Sequence, residues 1–425
     1  MAIPTTQRAL GLITALLGLT VGLESAEEDF EKAPIHYSAA TPIDPVSRLS
    51  ARLATGDLSL GSTELEIVRA LLHELNIPVA SQLLVFSRTS LQRNRIGPEN
   101  PRALYFSDTC YVGWVPGGLI EVTSIDPVLG PVFYAIDPRK PAQKQTMQFE
   151  RDQDCLRCHG GHFVRGIPGV IARSVFPDTT GEPLFRQGST LVDYRTPFDQ
   201  RWGGWYVTGN HGAAVHRGNI IAKEVDNRLE FPVRDGANIT NLSPYFRVNR
   251  YLTSTSDIVS LLVFEHQIAV QNAITKASHD ARRMLQYQAE LQTAFKETIT
   301  SEPSYDSVKS VFASATQSLV DALLSKDEAS LPHGIQGSPA FVNAYSANRV
   351  ATTNDHSLRD LSLKRRLYRY RCSPLVYSEM FLAMPPALKS QVYAALAHAL
   401  DPISPDERYD YIPAAEKAEI RAILR

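Results

Sequence analysis

Cysteine is scarce, with four residues in a chain of 425, which excludes a small scaffold stapled by disulfides. An excess of charge of one sign is missing too. The 43 basic and 45 acidic side chains leave a net charge of −2, so nothing electrostatic draws the chain to nucleic acid or to an anionic membrane surface. There is no internal repeat and no low-complexity tract. Methionine numbers only five, and none falls between Met147 and Met284. What is present is ordinary: 44% hydrophobic and 21% charged residues describe a folded chain long enough for two or three packed units.

The N-terminus carries the first positive signal. Met1 to Arg8 is short and basic, Ala9 to Leu23 is apolar and uncharged, and an acidic segment follows from Glu24. That order is the n-region and h-region of a secretory signal peptide, expected to span residues 1–26. The apolar run is shorter than the roughly 20 residues a bilayer span prefers. Glu24 sits poorly near a cleavage point after Ala26, so an uncleaved membrane tether stays open. No cysteine follows to take a lipid anchor.

Residues 27–58 mix Pro, Ser and acids and read as an extended arm. Ser62 to Leu75 has helical spacing, with Thr63 as a cap. Short β-type runs follow at Leu83–Phe86, Ala103–Phe106, Tyr111–Val115, Leu119–Val122 and Val132–Ile136, with Pro116-Gly117-Gly118 as a hairpin connection. More come at Gly169–Phe176, Thr190–Val192 and Trp205–Thr208. From Asp257 the period changes to a helical stripe some forty residues long, running from Ile258 to Phe295 with Ser256 as its cap. Ser307–Leu324, Leu358–Tyr370, Ser373–Leu382, Pro386–Leu400 and Ala414–Leu424 also read as helical. The expected fold is therefore α+β, with a β-rich half (59–235) followed by a helical half (236–425) that opens on one long helix.

Residues 155–159 read Cys-Leu-Arg-Cys-His, the C-x-x-C-H pattern of covalent c-type haem attachment. Two thiols at this spacing reach the two vinyl groups of one porphyrin, and the next residue places an imidazole under the iron. The pattern arises by chance in such a composition on the order of once in a thousand chains. Two other chemistries use C-x-x-C. A thioredoxin-like couple opens a helix in a βαβ setting, which is not evident here. A zinc site needs a second ligand pair, which the sequence lacks. An export signal favours haem: one covalent haem c on Cys155 and Cys158, with His159 as the proximal iron ligand.

The second axial position is open. With no Met after the motif until Met284, this is not an ordinary small cytochrome c fold. His162 is too near His159 to cross to the far face. His211, His216 and His266 remain as distal candidates, each with an ordinary core or loop role as the alternative. Five-coordinate iron is the other possibility. Arg157, Arg165, Arg173, Arg186, Arg195, Arg201 and Arg217 crowd the same region and suit haem propionates. Phe163, Trp202, Trp205 and Tyr206 can wall a pocket or simply fill a core. Cys110 and Cys372 can pair or stand as separate buried thiols.

Several blocks resemble a family of large exported bacterial proteins, the cytochrome c domain proteins with a single C-x-x-C-H. They are Leu83 to Gln92, Pro101 to Phe106, Tyr111 to Trp114, Gly166-Ile-Pro-Gly, Ala172 to Asp178, Arg201-Trp-Gly-Gly-Trp-Tyr-Val-Thr-Gly-Asn-His-Gly, Glu265-His-Gln, Ser357-Leu-Arg-Asp and Tyr370 to Ser378. The resemblance spans roughly residues 60 to 400. It implies haem attachment through Cys155, Cys158 and His159, and it implies no substrate. Cys110 departs from the small or acidic residue expected at its position, so a disulfide to Cys372 would be local to this chain. The expected function is periplasmic single-electron transfer with a redox partner protein. A haem oxidoreductase with an open distal site and a haem-bearing assembly protein are the alternatives.

Overall fold

The computed structural model describes residues 28–139, 148–226, 228–403 and 406–424; the expected signal peptide lies outside the described residues. Within the segment read as an extended arm, helix α1 (Pro45–Ala54) forms instead. Asp44 caps it by accepting from the Val46 and Ser47 amides, and Pro45 sits at the first helical position, where its missing N–H costs nothing. Val46, Leu49 and Leu53 then face inward at helical spacing. Helix α2 (Glu64–Glu74) starts as expected at Thr63, which shares a reciprocal capping box with Glu66.

The β-type runs become strands β1 (Leu83–Val85), β2 (Arg102–Phe106), β3 (Cys110–Trp114), β4 (Ile120–Asp126) and β5 (Gly130–Ile136), followed by β6 (Glu150–Arg151). After the short helix α3 (Leu156–His159) come β7 (Arg173–Val175), β8 (Ser189–Leu191), β9 (Trp205–Tyr206), β10 (Lys223–Val225) and β11 (Arg228–Glu230). Seven of these make one sheet in the order β6-β5-β4-β3-β2-β1-β9, with antiparallel neighbours throughout. The 116–118 turn does join β3 to β4, in register Trp114↔Ile120.

Because side chains alternate along a strand, the sheet buries two different faces. Leu84, Tyr105, Val112, Trp114 and Val122 pack beneath α1 and α2, together with Leu242, Phe246 and Tyr251. Leu83, Phe106, Tyr111, Ile125 and Trp205 face the other way, onto the long helix. Each fully buried large side chain contributes about 1.5–3 kcal/mol, so both faces are firmly held. Cys110 and Cys372 are free, buried thiols, one in each of these cores.

That long helix is α4 (Ile258–Ala294), followed by α5 (Asp306–Leu323), α6 (Pro339–Ala347), α7 (Glu379–Leu382), α8 (Pro386–Ala399) and α9 (Ala414–Ile423). The cap of α4 is Asp257, which accepts from the Val259 and Ser260 amides. Ser256, the expected cap, instead accepts from the Leu84 amide and ties the helix start to β1. From Ile258 to Gln271 the helix is buried nearly all round. Gln267 and Gln271, one turn apart, hydrogen-bond to Tyr111 and to the Ser107 and Asp108 carbonyls on the sheet side, while α5 packs along the helix and α8 on α5. Leu358–Tyr370, expected to be helical, is a bent loop. Leu361 bridges Tyr368, Leu363 adopts φ +55°, and Arg369 N–H goes to the Asp360 carbonyl, so its backbone groups are spent in a hairpin pattern. Helix α6, which periodicity did not signal, starts from a Ser338 cap with Pro339 in the first turn. Among the described residues no helix is long and apolar enough to cross a membrane.

Candidate haem site

The C-x-x-C-H motif sits where the chain leaves the sheet. Asp152 accepts from the Asp154 amide and starts a 3-10 turn over Gln153–Cys155, which runs into the single turn of α3. Gly160 ends that turn, its N–H bonded to the Leu156 carbonyl. A side chain there would be crowded, since a Cβ would lie 3.0 Å from the Phe30 ring and from the Leu156 carbonyl oxygen. The chain then doubles back through Arg165 and Gly166, both at positive φ, and returns to its start at Gly169.

There the geometry becomes specific. Gly169 N–H donates to the His159 carbonyl (2.8 Å), and the His159 ring nitrogen Nδ1 lies 2.8 Å from the Gly169 carbonyl. A carbonyl only accepts, so Nδ1 carries the proton and Nε2 keeps the lone pair. The next residue is clamped from α4. Asn272 Oδ1 accepts from Val170 N–H (3.0 Å), and Asn272 Nδ2 donates to the Val170 carbonyl (2.8 Å). Phe133 of β5 lies against the imidazole with ring centroids 4.9 Å apart. Burial pushes the His159 pKa down to about 4, so the ring is neutral at pH 7, as a metal ligand must be.

Cys155 is half-buried and Cys158 exposed, and both are free thiols. Burial, reinforced by the Asp152 and Glu121 carboxylates, raises the Cys155 thiol to about 12. That is opposite to the lowered pKa of a reactive dithiol couple. Glu121 pairs with Arg102, and the Arg102 guanidinium lies over Gly113. By strand register Gly113, Glu121 and Ala135 share a face with Phe133, so an ion pair and an aromatic ring flank the motif on one side of the sheet. Two thiols and one imidazole with a directed Nε2 lone pair, on adjacent turns, are a donor set that fits a covalently held haem. Among the described residues no group of three His, Cys, Asp or Glu side chains is arranged to hold a bare metal ion.

The distal candidates are not equivalent. His211 and His216 lie against one another with ring centroids 4.5 Å apart and planes tilted by 54°. His211 Nε2 accepts from Asn238 N–H (2.9 Å) and His216 Nδ1 accepts from Gly218 N–H (2.9 Å). Each has thereby spent the only lone pair of a neutral imidazole. His266 is different. It is buried between Tyr194 and Tyr368, and neither ring nitrogen has a partner among the described residues. No hydrogen bond or ring contact joins any of the three to His159.

The other site residues disperse. Arg201 is buried against Glu265 (2.8 Å), and Trp202 Nε1 donates to the same carboxylate, so neither is free for a cofactor. Arg195 pairs with Asp193, Arg157 with Asp154 (3.2 Å), and Arg173 and Arg217 lie over Phe163 and Phe176. Tyr206 belongs to the α1/α2 core and Trp205 to the α4 core. Sequence reasoning passed over Phe133, Arg102, Glu121 and Asn272. The Gly166-Ile-Pro-Gly169 block signalled a tight return near the motif, whereas nothing local marks Asn272. Compared with known protein families, curated proteins and solved structures, the chain matches none.

Proposed function

We propose that this chain is an exported c-type haem protein that passes single electrons to a redox partner protein. Cys155 and Cys158 would hold the haem as thioethers and His159 would ligate its iron through Nε2. Bound there, the haem supplies a one-electron Fe(III)/Fe(II) couple. The chain's own residues do the rest. Gly169 fixes the His159 tautomer and raises its donor strength, Asn272 holds Gly169 in place, and Phe133 limits rotation of the ring. The observation that carries the reading is the 2.8 Å contact between His159 Nδ1 and the Gly169 carbonyl, which directs the lone pair of the only histidine in a C-x-x-C-H motif.

The test is a reduced pyridine haemochrome spectrum of the protein made in the periplasm of a host with haem-attachment machinery. A c-type α band that is lost in the Cys155→Ala/Cys158→Ala double variant is the expected result. A protein without covalent haem would overturn the reading. A second reading, a haem oxidoreductase with an open distal site, is favoured by the spent lone pairs of His211 and His216. Five-coordinate high-spin iron would support it. A low-spin spectrum that becomes high-spin in His266→Ala would support electron transfer with His266 as the sixth ligand.

A further inference from the structure

On the α4 side of the loop that follows the motif lies a cavity of about 780 Å³, a size typical of small-molecule sites. None of Cys155, Cys158 and His159 lines it, although Val170 and Asn272, which anchor the loop that holds His159, do. The space exists because α4 and α5 meet there through small residues, Ala269, Ala273 and Ala277 on one helix and Ala315 on the other. Val170 and Ile268 add apolar wall. Two large apolar side chains stand at its rim in contact with water, Phe163 at 47% and Leu191 at 40% exposure. Apolar side chains left exposed beside a cavity of this size mark a surface that gains by being covered.

The rim is also charged, and its charges do not balance. Arg195 pairs with Asp193, Lys276 with Asp280, and Arg283 with Asp29, which it shares with Lys32. Arg165 stands apart: it is exposed, its backbone turns at φ +58°, and among the described residues its guanidinium makes no hydrogen bond or ion pair. One uncompensated guanidinium beside an apolar cavity is complementary to an apolar chain that ends in a single anionic group. A carboxylate matches the planar fork best. We propose that this cavity binds an aliphatic monocarboxylate, with its chain between α4 and α5 and its carboxylate on Arg165.

Calorimetric titration of the full exported chain with decanoate tests this, with decan-1-ol as the uncharged counterpart. Decanoate binds saturably at one site per chain, and decan-1-ol binds at least about tenfold more weakly, as expected for loss of one charge-assisted pair. Arg165→Glu, at an exposed position that leaves the core intact, weakens decanoate by about tenfold or more. Ala273→Trp fills the cavity and removes binding of both probes. The proposal is overturned by the absence of saturable decanoate binding, by equal affinity for acid and alcohol, or by an Arg165→Glu variant that binds decanoate like the parent. Because the Arg165 variant carries the test alone, a folding defect in Ala273→Trp does not rescue the idea.

Discussion

Gly169 grips His159 at two points, its N–H on the backbone carbonyl and its carbonyl on the ring. That grip depends on a neighbour. Asn272 satisfies both backbone groups of Val170, and Gly169 has no side chain because a Cβ would lie 2.8 Å from Val164 Cγ1 and 2.9 Å from Asn272 Oδ1. Replacing Asn272 with Leu keeps the volume and removes both hydrogen bonds, at a cost of about 1–3 kcal/mol. If the Gly169 carbonyl then drifts, the imidazole donates less electron density to iron, and the reduction potential of the haem-loaded protein rises. A potentiometric titration followed optically checks this beside a urea melt. Lost stability with an unchanged potential would reduce Asn272 to a packing residue.

At the scale of the element, α4 organises the molecule. Its start is held by Asp257, which accepts from two amides of its own helix and also from the Ser338 amide that opens α6. Asp257→Ala therefore uncaps one helix and strands the amide before another. The expected loss is about 2 kcal/mol or more, above the usual single-cap cost, measured by thermal or urea melts. Asp257→Asn, which keeps an acceptor, recovers most of it. The period of α4 was readable because its apolar residues recur over ten turns, and α2 was readable because Thr63 and Glu66 make a local capping box. The stretch Leu358–Tyr370 misled because Leu358, Leu361 and Tyr368 fall at helical spacing, while a hairpin-like bend instead pairs Leu361 with Tyr368. Helix α6 escaped notice because its nine residues carry too short a pattern, although Ser338-Pro339 marks its start.

Over the whole molecule, buried titratable groups set how stability responds to pH. Burial holds the imidazoles of His216 and His266 down to about 3 and that of His279 to about 4. The unfolded chain, with histidine near 6.5, binds protons that the folded one excludes. Each contribution is therefore present above about pH 6.5 and lost as pH falls toward 4 and below. Glu265 acts in the opposite sense. Burial, opposed by Arg201, raises it to about 7, so its contribution is lost as pH rises from the ordinary carboxyl range through 7. At about pH 5.5, these three imidazoles and that of His159, which burial holds near 4, gain a proton on unfolding and one carboxyl releases one, a net uptake of about three. Stability should then climb by about 3–4 kcal/mol per pH unit between roughly pH 5 and 6. Urea melts at those two values decide it, and a flat profile would mean that these imidazoles are not held neutral in the fold.

Local chemistry determined what could be read from residues alone. The C-x-x-C-H spacing, the Thr63 capping box, the Pro116-Gly117-Gly118 turn and the long period of α4 each depend on side chains within a few residues of one another. The division into a β-rich half and a helical half followed from the same periodicities. Tertiary structure decided the rest, because it depends on partners far apart in the chain. Which nitrogen of His159 keeps its lone pair is settled by Gly169 and, through Val170, by Asn272 more than a hundred residues later. Which of His211, His216 and His266 retains a free lone pair is settled by the backbone amides that happen to face them. The unbalanced charge of Arg165 emerges only once the helices and loops around it have paired every other cation at the cavity rim.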